Sequence, residues 1–467
     1  MSIENRLIVI ANRLSVHRVR RQGAVRWEQS AGGLATALTP IMREHGGTWI
    51  GWSGVAGETI KEFTHDGVQI VPMELTAREI EGFYNGFSNR TLWPLYHDAI
   101  RTPEFHREWW SPYVAVNERF ARTVAETAGP NDVVWVHDYH LQLVPRMLRN
   151  LRPELRIGFF LHIPFPPEEL FAWLPWRVAL LEGLLGADVI GFQTRAAAQN
   201  FSRAARFYTQ AEGTDSLLRF DDRRIQVGAF PISIDAASFA TLADTEGTQD
   251  RAEIIRERLG PNRRLIFSVD RLDYTKGIDA RLNAYHELLA RRTISAENCV
   301  FIQVAVPSRE VVGDYADMRA KIEQLVGQIN GEFSEPGLIP IHFFRRNLTR
   351  EELVAYYRAA DVMLVTPYRD GMNLVAKEYV ASRTDNNGVL VLSEFAGAAQ
   401  ELRRALLVNP YDIDGMANAL AVAIHMPPRE ARGRMTVLRS VVRRNDVFKW
   451  ADGFLRALTG EHVTIAS

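Results

Sequence analysis

The fold is decided by the stretch Asp370-Gly371-Met372-Asn373-Leu374-Val375-Ala376-Lys377-Glu378. An apolar strand-like run, 362–366, precedes it, and a short predicted helix follows it. A strand, a tight glycine turn and a helix start place backbone N–H groups at the carboxyl edge of a sheet, where open α/β sheets bind anions. The carboxylates of Asp370 and Glu378 accept hydrogen bonds from hydroxyl groups, so the pattern favours a sugar beside a phosphate. For this stretch alone, an ordinary strand–helix turn with surface acids is the alternative.

The composition is that of a globular protein with balanced charge. The chain has 467 residues, so we expect two domains, and its net charge of −1 gives no bulk attraction to nucleic acid or membrane. Its one cysteine, Cys299, excludes an internal disulfide and fits a reducing cytosol; its place at a strand start predicts a buried, inert thiol. The apolar run 7–11 is too short for a signal peptide, and no run approaches the length of a membrane helix. We therefore expect a soluble, cytoplasmic protein.

Polar and aromatic residues follow the first apolar strand. This strand ends at Asn12-Arg13, and the polar residues 16–29 predict a loop before Gly32-Gly33, where a helix begins. The glycine pair suits a diphosphate, whereas the G-x-G-x-x-G pattern of a dinucleotide fold is missing. Further on, Tyr84 and Trp93 lie in segments that mix aromatic rings with amides. That mixture is typical of sugar sites, and a packed aromatic core is the alternative.

Two later apolar strands of the first half also end in polar groups. These groups are Asp138 and His162, and the carboxyl ends of parallel strands are where active-site residues usually lie. We interpret the neighbouring His137 and His140 as structural histidines. The alternation of strands and helices predicts a doubly wound parallel sheet.

The second half offers cations at strand ends. Arg271 and Lys276 flank a turn before a helix, an arrangement that can hold a diphosphate through charged hydrogen bonds of about 1.5–3 kcal/mol each; a solvated loop is the alternative. Arg309 follows the next strand. Asp412-Ile413-Asp414 resembles a metal-binding D-x-D motif, but its turn context favours helix capping. We predict no metal and no cofactor. The polar stretch 241–260 is predicted to join the two domains.

Eight ordered blocks, which span nearly the whole chain, carry a more specific signal: Asn12-Arg13, Ser30-Ala31-Gly32-Gly33-Leu34, Trp49-Ile50-Gly51-Trp52-Ser53-Gly54, Tyr84-Asn85-Gly86-Phe87-Ser88-Asn89, Trp135-Val136-His137-Asp138-Tyr139-His140, Gly158-Phe159-Phe160-Leu161-His162-Ile163-Pro164-Phe165-Pro166, Arg271-Leu272-Asp273-Tyr274-Thr275-Lys276-Gly277 and residues 370–378. Together they resemble the trehalose-6-phosphate synthase family, glycosyltransferase family 20. The resemblance implies a GT-B fold, in which two doubly wound Rossmann-like domains face each other across a cleft. Residues 1–240 would bind the acceptor and residues 241–467 the nucleotide sugar, with the final helix packing back on the N-terminal domain.

The resemblance also implies an activity. Glucose would pass with retention from ADP-, UDP- or GDP-glucose to glucose 6-phosphate, giving α,α-trehalose 6-phosphate. We expect a homo-oligomer without a nucleic-acid or membrane partner. One alternative is a pseudoglycosyltransferase that couples a nucleotide-activated cyclitol to a cyclitol phosphate. Another is a non-catalytic sugar-phosphate sensor, which the complete set of donor-site charges disfavours.

Residue roles follow from the resemblance by matching motifs. The acceptor site would comprise Arg13, Tyr84, Trp93, Asp138 and Arg309. The donor site would comprise Gly32, Gly33, His162, Arg271, Lys276, Leu348, Asp370, Gly371, Met372, Asn373, Leu374, Val375 and Glu378. The residues closest to the chemistry would be Asp138, His162, Arg271, Lys276 and Asp370. Leu348 stands where some members have an aromatic near the base, which leaves the base preference open. The family is thought to use same-face attack, in which the leaving phosphate takes the acceptor's proton.

Overall fold

The computed structural model describes residues 6–21, 24–30, 33–307 and 313–460. The chain divides into two compact units. The first contains the described residues up to Ile232 together with the last helix, and the second runs from Ser233 to Asp446. Within the described ranges, no helix combines the length and the hydropathy needed to cross a lipid bilayer.

The first unit is built on a ten-stranded sheet with a separate hairpin. Numbered along the chain, its strands are β1 (Leu7–Arg13), β2 (Val16–Arg21), β3 (Ala24–Gln29), β4 (Thr48–Trp52), β5 (Phe63–His65), β6 (Val68–Met73), β7 (Val133–His137), β8 (Arg156–Leu161), β9 (Val189–Phe192), β10 (Glu212–Gly213), β11 (Leu217–Phe220) and β12 (Arg223–Ala229). Its helices are α1 (Gly33–His45), α2 (Ala77–Glu79), α3 (Trp93–Tyr96), α4 (Arg107–Thr127), α5 (Val144–Leu151), α6 (Glu168–Phe171), α7 (Arg177–Leu184), α8 (Arg195–Tyr208) and the last helix, α17 (Val447–Thr459), with a π-helix at Ile80–Leu92 and a 3-10 turn at Tyr139–Leu141.

The strand order of this sheet is β10-β11-β12-β9-β8-β7-β1-β4-β6-β5. From β12 to β6 all neighbouring strands are parallel. The central strands are apolar and buried, as expected where helices cover both faces of a sheet. The chain passes from β1 outward to β4 and β6 and then returns to β7 on the other side of β1. Such a reversal is the point where open α/β sheets bind ligands, outside the carboxyl ends of the strands.

The second unit contains a six-stranded parallel sheet of order β15-β14-β13-β16-β17-β18. Its strands are β13 (Arg264–Arg271), β14 (Cys299–Val306), β15 (Ile341–Phe344), β16 (Val362–Val365), β17 (Val389–Ser393) and β18 (Leu406–Val408). Its helices are α9 (Ala236–Ala243), α10 (Glu246–Leu259), α11 (Ile278–Ala290), α12 (Gly313–Phe333), α13 (Arg350–Ala359), α14 (Leu374–Ser382), α15 (Ile413–Ile424) and α16 (Pro428–Arg444), with 3-10 turns at Tyr274–Lys276 and Gly397–Gln400. The order reverses between β13 and β16. The predicted doubly wound sheets are confirmed in both units.

Two predictions for irregular segments were wrong. Residues 16–29 are not a loop: β2 and β3 pair antiparallel as a hairpin, and the charged side chains on both strands had concealed this structure. Residues 241–260 are not a domain join, because they lie within the second unit, where α10 packs on α13. The division between units therefore precedes α9 rather than following residue 240.

The last helix packs on the sheet of the first unit. The ring of Phe454 in α17 stacks on Trp135 of β7 at a centroid distance of 4.4 Å. Gly158 in β8 permits this contact, because a Cβ there would lie 2.6 Å from the Phe454 ring. The helix thus completes the layer on that face of the sheet.

Candidate active site

A cation lies at the reversal point of the first sheet. Arg13 ends β1 and is exposed, and its guanidinium carbon lies 4.3 Å from the ring centre of Trp52 and 5.6 Å from that of Tyr84. The Trp49 indole N–H donates to the Arg13 carbonyl over 2.9 Å and fixes the backbone there. Each cation–π contact contributes about 0.5–2 kcal/mol. The aromatic rings therefore hold the Arg13 charge at the carboxyl edge.

The π-helix Ile80–Leu92 places Tyr84 beside this cation. The Tyr84 ring stacks on the buried His140 ring, with centroids 5.8 Å apart. The side-chain NH₂ of Asn89 donates to the Tyr84 carbonyl over 2.8 Å, and the side-chain oxygen of Asn89 accepts from the Tyr139 hydroxyl over 2.9 Å. π-Helical segments are rare and concentrate at functional sites. The sequence motif suggested a sugar site but gave no sign of this element.

Asp138 follows β7 with an unusual backbone. Its φ is 76°, a value that costs a residue other than glycine free energy, and strained backbone conformations of this kind cluster at functional sites. Its amide donates to the Phe160 carbonyl over 2.8 Å, and its carboxylate accepts from the His162 amide over 3.2 Å. The structure thus brings Asp138 and His162 together at one sheet edge.

His162 belongs to a chain of neutral groups. Its Nε2 lies 3.0 Å from Nδ1 of His137, and its Nδ1 lies 3.4 Å from the Gln193 amide nitrogen. The Gln193 oxygen accepts from the Ile232 amide over 2.9 Å, so the Gln193 NH₂ faces His162. Burial lowers the pKa of His162 to about 3; burial and the adjacent His162 hold the pKa of His137 well below 6.5. Both imidazoles are neutral at pH 7, and neither is a general acid there.

We expect this pair to make stability depend on pH. The unfolded histidines bind protons below about pH 6.5, whereas the folded pair resists protonation, so the free energy of unfolding falls as the pH decreases. We measure the free energy of unfolding by urea denaturation at several pH values between 4 and 8. Its slope against pH should be smaller for the double variant His137→Gln/His162→Gln than for the wild type. The exposed His425→Gln is the control and should keep the wild-type slope. Equal slopes for the wild type and the double variant would contradict the neutral pair.

In the second unit, Lys276 lies at the reversal point of the sheet. Its ammonium is 2.5 Å from the Asp370 carboxylate, and the two side chains are 10% and 15% exposed. Arg271 ends β13 and is exposed at the start of the same loop. Gly277 has a φ of 61°, and a Cβ there would overlap the Thr366 carbonyl, so the loop lies against the segment that leads to Asp370.

Asn373 organises the beginning of α14. It has a φ of 77°, its side-chain oxygen accepts from the Ala376 amide over 3.1 Å, and its NH₂ donates to Asp370 over 3.2 Å. The first amides of a helix, here those of Leu374 and Val375, have no partner within the helix and suit an anion. The structure therefore joins a helix start to the Lys276–Asp370 pair.

Three of the remaining donor residues lie within or directly before this helix, and the fourth lies before α13. Gly371 and Met372 are buried directly before it, and Leu348 is half-buried just before α13. The Glu378 carboxylate accepts from the Tyr357 hydroxyl over 2.9 Å, and burial raises the pKa of the Glu378 carboxyl. Glu378 is thus held in one orientation within α14.

Some predicted residues are placed differently or are not described. Gly32 and Arg309 lie outside the described residues, while Gly33 begins α1. Trp93 is only 4% exposed, and its ring packs 4.1 Å from that of His97, so at most an edge reaches a ligand.

The D-x-D motif caps a helix, as predicted. The Asp412 carboxylate accepts from the Gly415 amide over 2.8 Å at the start of α15. In the described part of the chain, no group of three His, Cys, Asp or Glu side chains is arranged to hold a metal ion. Cys299 is buried, and burial raises the pKa of its thiol to about 12, so it is no nucleophile.

Two Rossmann-like sheets, each with charged groups at its reversal point, are typical of enzymes that use nucleotide sugars. The chain belongs to glycosyltransferase family 20, whose family model matches residues 5–460. It is 51% identical over 466 residues to the trehalose-6-phosphate synthase of Mycolicibacterium smegmatis, covering 97% of this chain and 93% of the relative.

Solved structures agree over the same length. An α,α-trehalose-phosphate synthase (UDP-forming) from Burkholderia xenovorans, in complex with glucose-6-phosphate, matches with a TM-score of 0.90 and 38% identity over 97% of this chain and 100% of that one. An E. coli structure with bound UDP-2-fluoro glucose matches with a TM-score of 0.90 and 36% identity over 97% and 99%. These matches confirm the predicted GT-B fold.

Proposed function

We propose that the chain is a trehalose-6-phosphate synthase, which transfers glucose with retention from a nucleoside diphosphate glucose to glucose 6-phosphate. The observation that carries the proposal is the Lys276–Asp370 pair beside the start of α14, in a chain of this family. The pair offers a cation for a diphosphate and a carboxylate for sugar hydroxyls within one small region.

The roles that we assign at the donor site follow from the charge of the leaving diphosphate. Departure of a diphosphate develops negative charge on its oxygens, and fixed cations and helix-start amides stabilise that charge more in the transition state than in the ground state. Arg271 and Lys276 neutralise the diphosphate, and the amides of Leu374 and Val375 hold its oxygens. Glu378 takes the ribose hydroxyls.

The transferred glucose is held by neutral and anionic groups. His162 and Asp370 contact its hydroxyls, Gly32 and Gly33 approach the nucleotide sugar, and Leu348 lies near the base. A neutral His162 suits a hydroxyl better than a phosphate, because it carries no charge at pH 7.

The proposed binding site for glucose 6-phosphate belongs to the first unit. Arg13, Tyr84 and Arg309 bind the phosphate of glucose 6-phosphate, while Trp93 and Asp138 orient its ring. Arginine is suited to phosphate because its planar guanidinium donates two parallel hydrogen bonds. The two aromatic rings beside Arg13 restrict its orientation before the ligand arrives.

Retention proceeds by same-face attack. A double displacement needs a carboxylate nucleophile. Asp370 is paired with Lys276 and Asn373, and Asp138 accepts from the His162 backbone. These contacts suit groups that position the sugars, and we assign neither carboxylate as the nucleophile. The leaving phosphate takes the proton of the acceptor hydroxyl while that hydroxyl attacks.

A donor panel tests the proposed function. Purified protein is incubated with glucose 6-phosphate and ADP-, UDP- or GDP-glucose, and we expect a disaccharide phosphate from at least one donor. The panel also gives the base preference. Failure with every donor would overturn the proposal and favour coupling of cyclitol substrates. The homo-oligomer and the cytoplasmic location stay predictions from the sequence.

The acceptor site yields a prediction at Gly54. Its φ is 98°, and a Cβ there would overlap the Arg13 guanidinium. We expect Gly54→Ala to displace Arg13 and raise the KM for glucose 6-phosphate about tenfold, because about 1–2 kcal/mol of phosphate binding is lost. Steady-state kinetics with both substrates measure the effect.

The control for this prediction is Gly57→Ala. Gly57 has a similarly positive φ of 62°, but a Cβ there meets nothing within 4 Å. It should leave the KM for glucose 6-phosphate near the wild-type value. A Gly54→Ala defect confined to the KM of the nucleotide sugar would contradict the placement of Arg13.

A further inference from the structure

One buried arginine has no part in the mechanism so far. Arg281 lies in the first turn of α11, and none of its surface is exposed. A guanidinium removed from water requires partners for its N–H groups, since unpaired buried donors destabilise a fold. The identity of those partners therefore shows what the side chain holds in place.

The Arg281 fork reaches two strands and one loop. Its Nη1 donates to the Asp270 carboxylate over 2.7 Å, and its Nε donates to the Thr366 hydroxyl over 3.1 Å. Its Nη2 donates to the main-chain carbonyl of Lys276, and the Ser268 hydroxyl is a further close partner. These contacts tie β13, the 3-10 turn and the end of β16 to one rigid group.

Three of these four partners belong to the proposed donor site or to the segments that lead to it. Asp270 precedes Arg271, the Lys276 carbonyl belongs to the residue that pairs with Asp370, and Thr366 begins the segment that leads to Asp370. We infer that Arg281 is a positioning residue for glucosyl transfer, because it fixes the backbone that aims the Lys276 ammonium. This role rests on the proposed function.

Arginine is required there rather than lysine. The planar guanidinium directs donors along several fixed directions at once, whereas an ammonium is a point charge on a flexible stem. A lysine can still pair with Asp270, but it cannot also hold the Lys276 carbonyl and the Thr366 hydroxyl. Burial raises the pKa of Asp270, and the charges of Arg281 and Lys276 oppose that rise.

A double-mutant cycle tests the role. We expect Arg281→Lys to lower kcat about 10- to 100-fold with little change in the KM for glucose 6-phosphate. In a Lys276→Ala background the same substitution should change kcat by less than about twofold, because the group through which it acts is gone. Thr366→Val removes one partner and keeps the side-chain shape. It should lower kcat about two- to fivefold and should likewise have no further effect without Lys276.

The matched control is Arg383→Lys. Arg383 is also buried, at 5% exposure, and donates to the carbonyls of Tyr357, Arg358 and Ala360 at the amino edge of the same sheet. Its substitution should lower the melting temperature without lowering kcat. Equal kcat losses in both backgrounds, or unchanged kcat in Thr366→Val and Arg281→Lys, would overturn the positioning role alone. A wild-type protein without activity would overturn the proposed function and this role with it.

Discussion

Replacement of Lys276 by alanine is expected to lower kcat about 100- to 1,000-fold while the chain stays folded. The Lys276 ammonium is a buried cation at the reversal point of the second unit's sheet, 2.5 Å from the Asp370 carboxylate. Its charge is fixed before the reaction, so it stabilises the departing diphosphate without reorganisation. The loss falls on kcat rather than on KM alone, because the developing charge is largest in the transition state. Steady-state kinetics with saturating substrates measure it.

Lys321→Ala is the control for this experiment. Lys321 also pairs with an aspartate, Asp279, at 2.7 Å, but its side chain is 64% exposed. Exposed pairs contribute about 0–1 kcal/mol to stability, so kcat and melting temperature should stay near wild type. Near-normal turnover of Lys276→Ala, with unchanged melting, would refute the role of Lys276.

Gly397→Ala should be nearly as damaging, although residue 397 carries no side chain. The Gly397 amide donates to the Asp370 carbonyl over 3.2 Å, and the Ala398 amide donates to the Met372 carbonyl over 2.8 Å. A Cβ at residue 397 would overlap the Gly371 carbonyl, and a backbone group cannot move aside as a side chain can. We expect the free energy of unfolding to fall by about 1–3 kcal/mol. We also expect kcat to fall about 100-fold, because Asp370 shifts from its position.

Gly433→Ala separates this clash from a general effect of glycine replacement. Gly433 lies within α16, and a Cβ there meets nothing within 4 Å. Alanine is the better helix former, so this variant should be as stable as the wild type or up to about 1 kcal/mol more stable. Urea unfolding and turnover are measured for Gly397→Ala and Gly433→Ala together, and only Gly397→Ala should lose stability and activity. Wild-type turnover in Gly397→Ala would show that the Asp370 segment adapts freely.

The sequence predicted the parts of the fold and site that local pattern controls. Apolar runs mark the central strands, and charged residues directly after them must meet at one edge when the strands are parallel. That reasoning placed Lys276, Asp370, Asp138 and His162 at or after the carboxyl ends of strands. The direct contact between Lys276 and Asp370, which are 94 residues apart, is seen only in the structure.

Features that depend on tertiary packing gave no such signal. The hairpin of β2 and β3 was hidden because both strands carry charged residues. Arg281 lies in an ordinary helix pattern, and only the structure shows its fork between two strands. Trp52 and Gly397 act through contacts with distant backbone or side chains, which neither periodicity nor spacing encodes.

The central claim is that this chain transfers glucose to glucose 6-phosphate with retention of the α configuration of the donor. Proton NMR of the product formed from the donor selected by the panel tests it most directly. We predict two α-anomeric signals, from the retained donor glucose and the linked acceptor glucose of α,α-trehalose 6-phosphate, and release of one nucleoside diphosphate per disaccharide. A β-anomeric signal from the transferred glucose, or free glucose from hydrolysis of the donor in place of disaccharide, would contradict it.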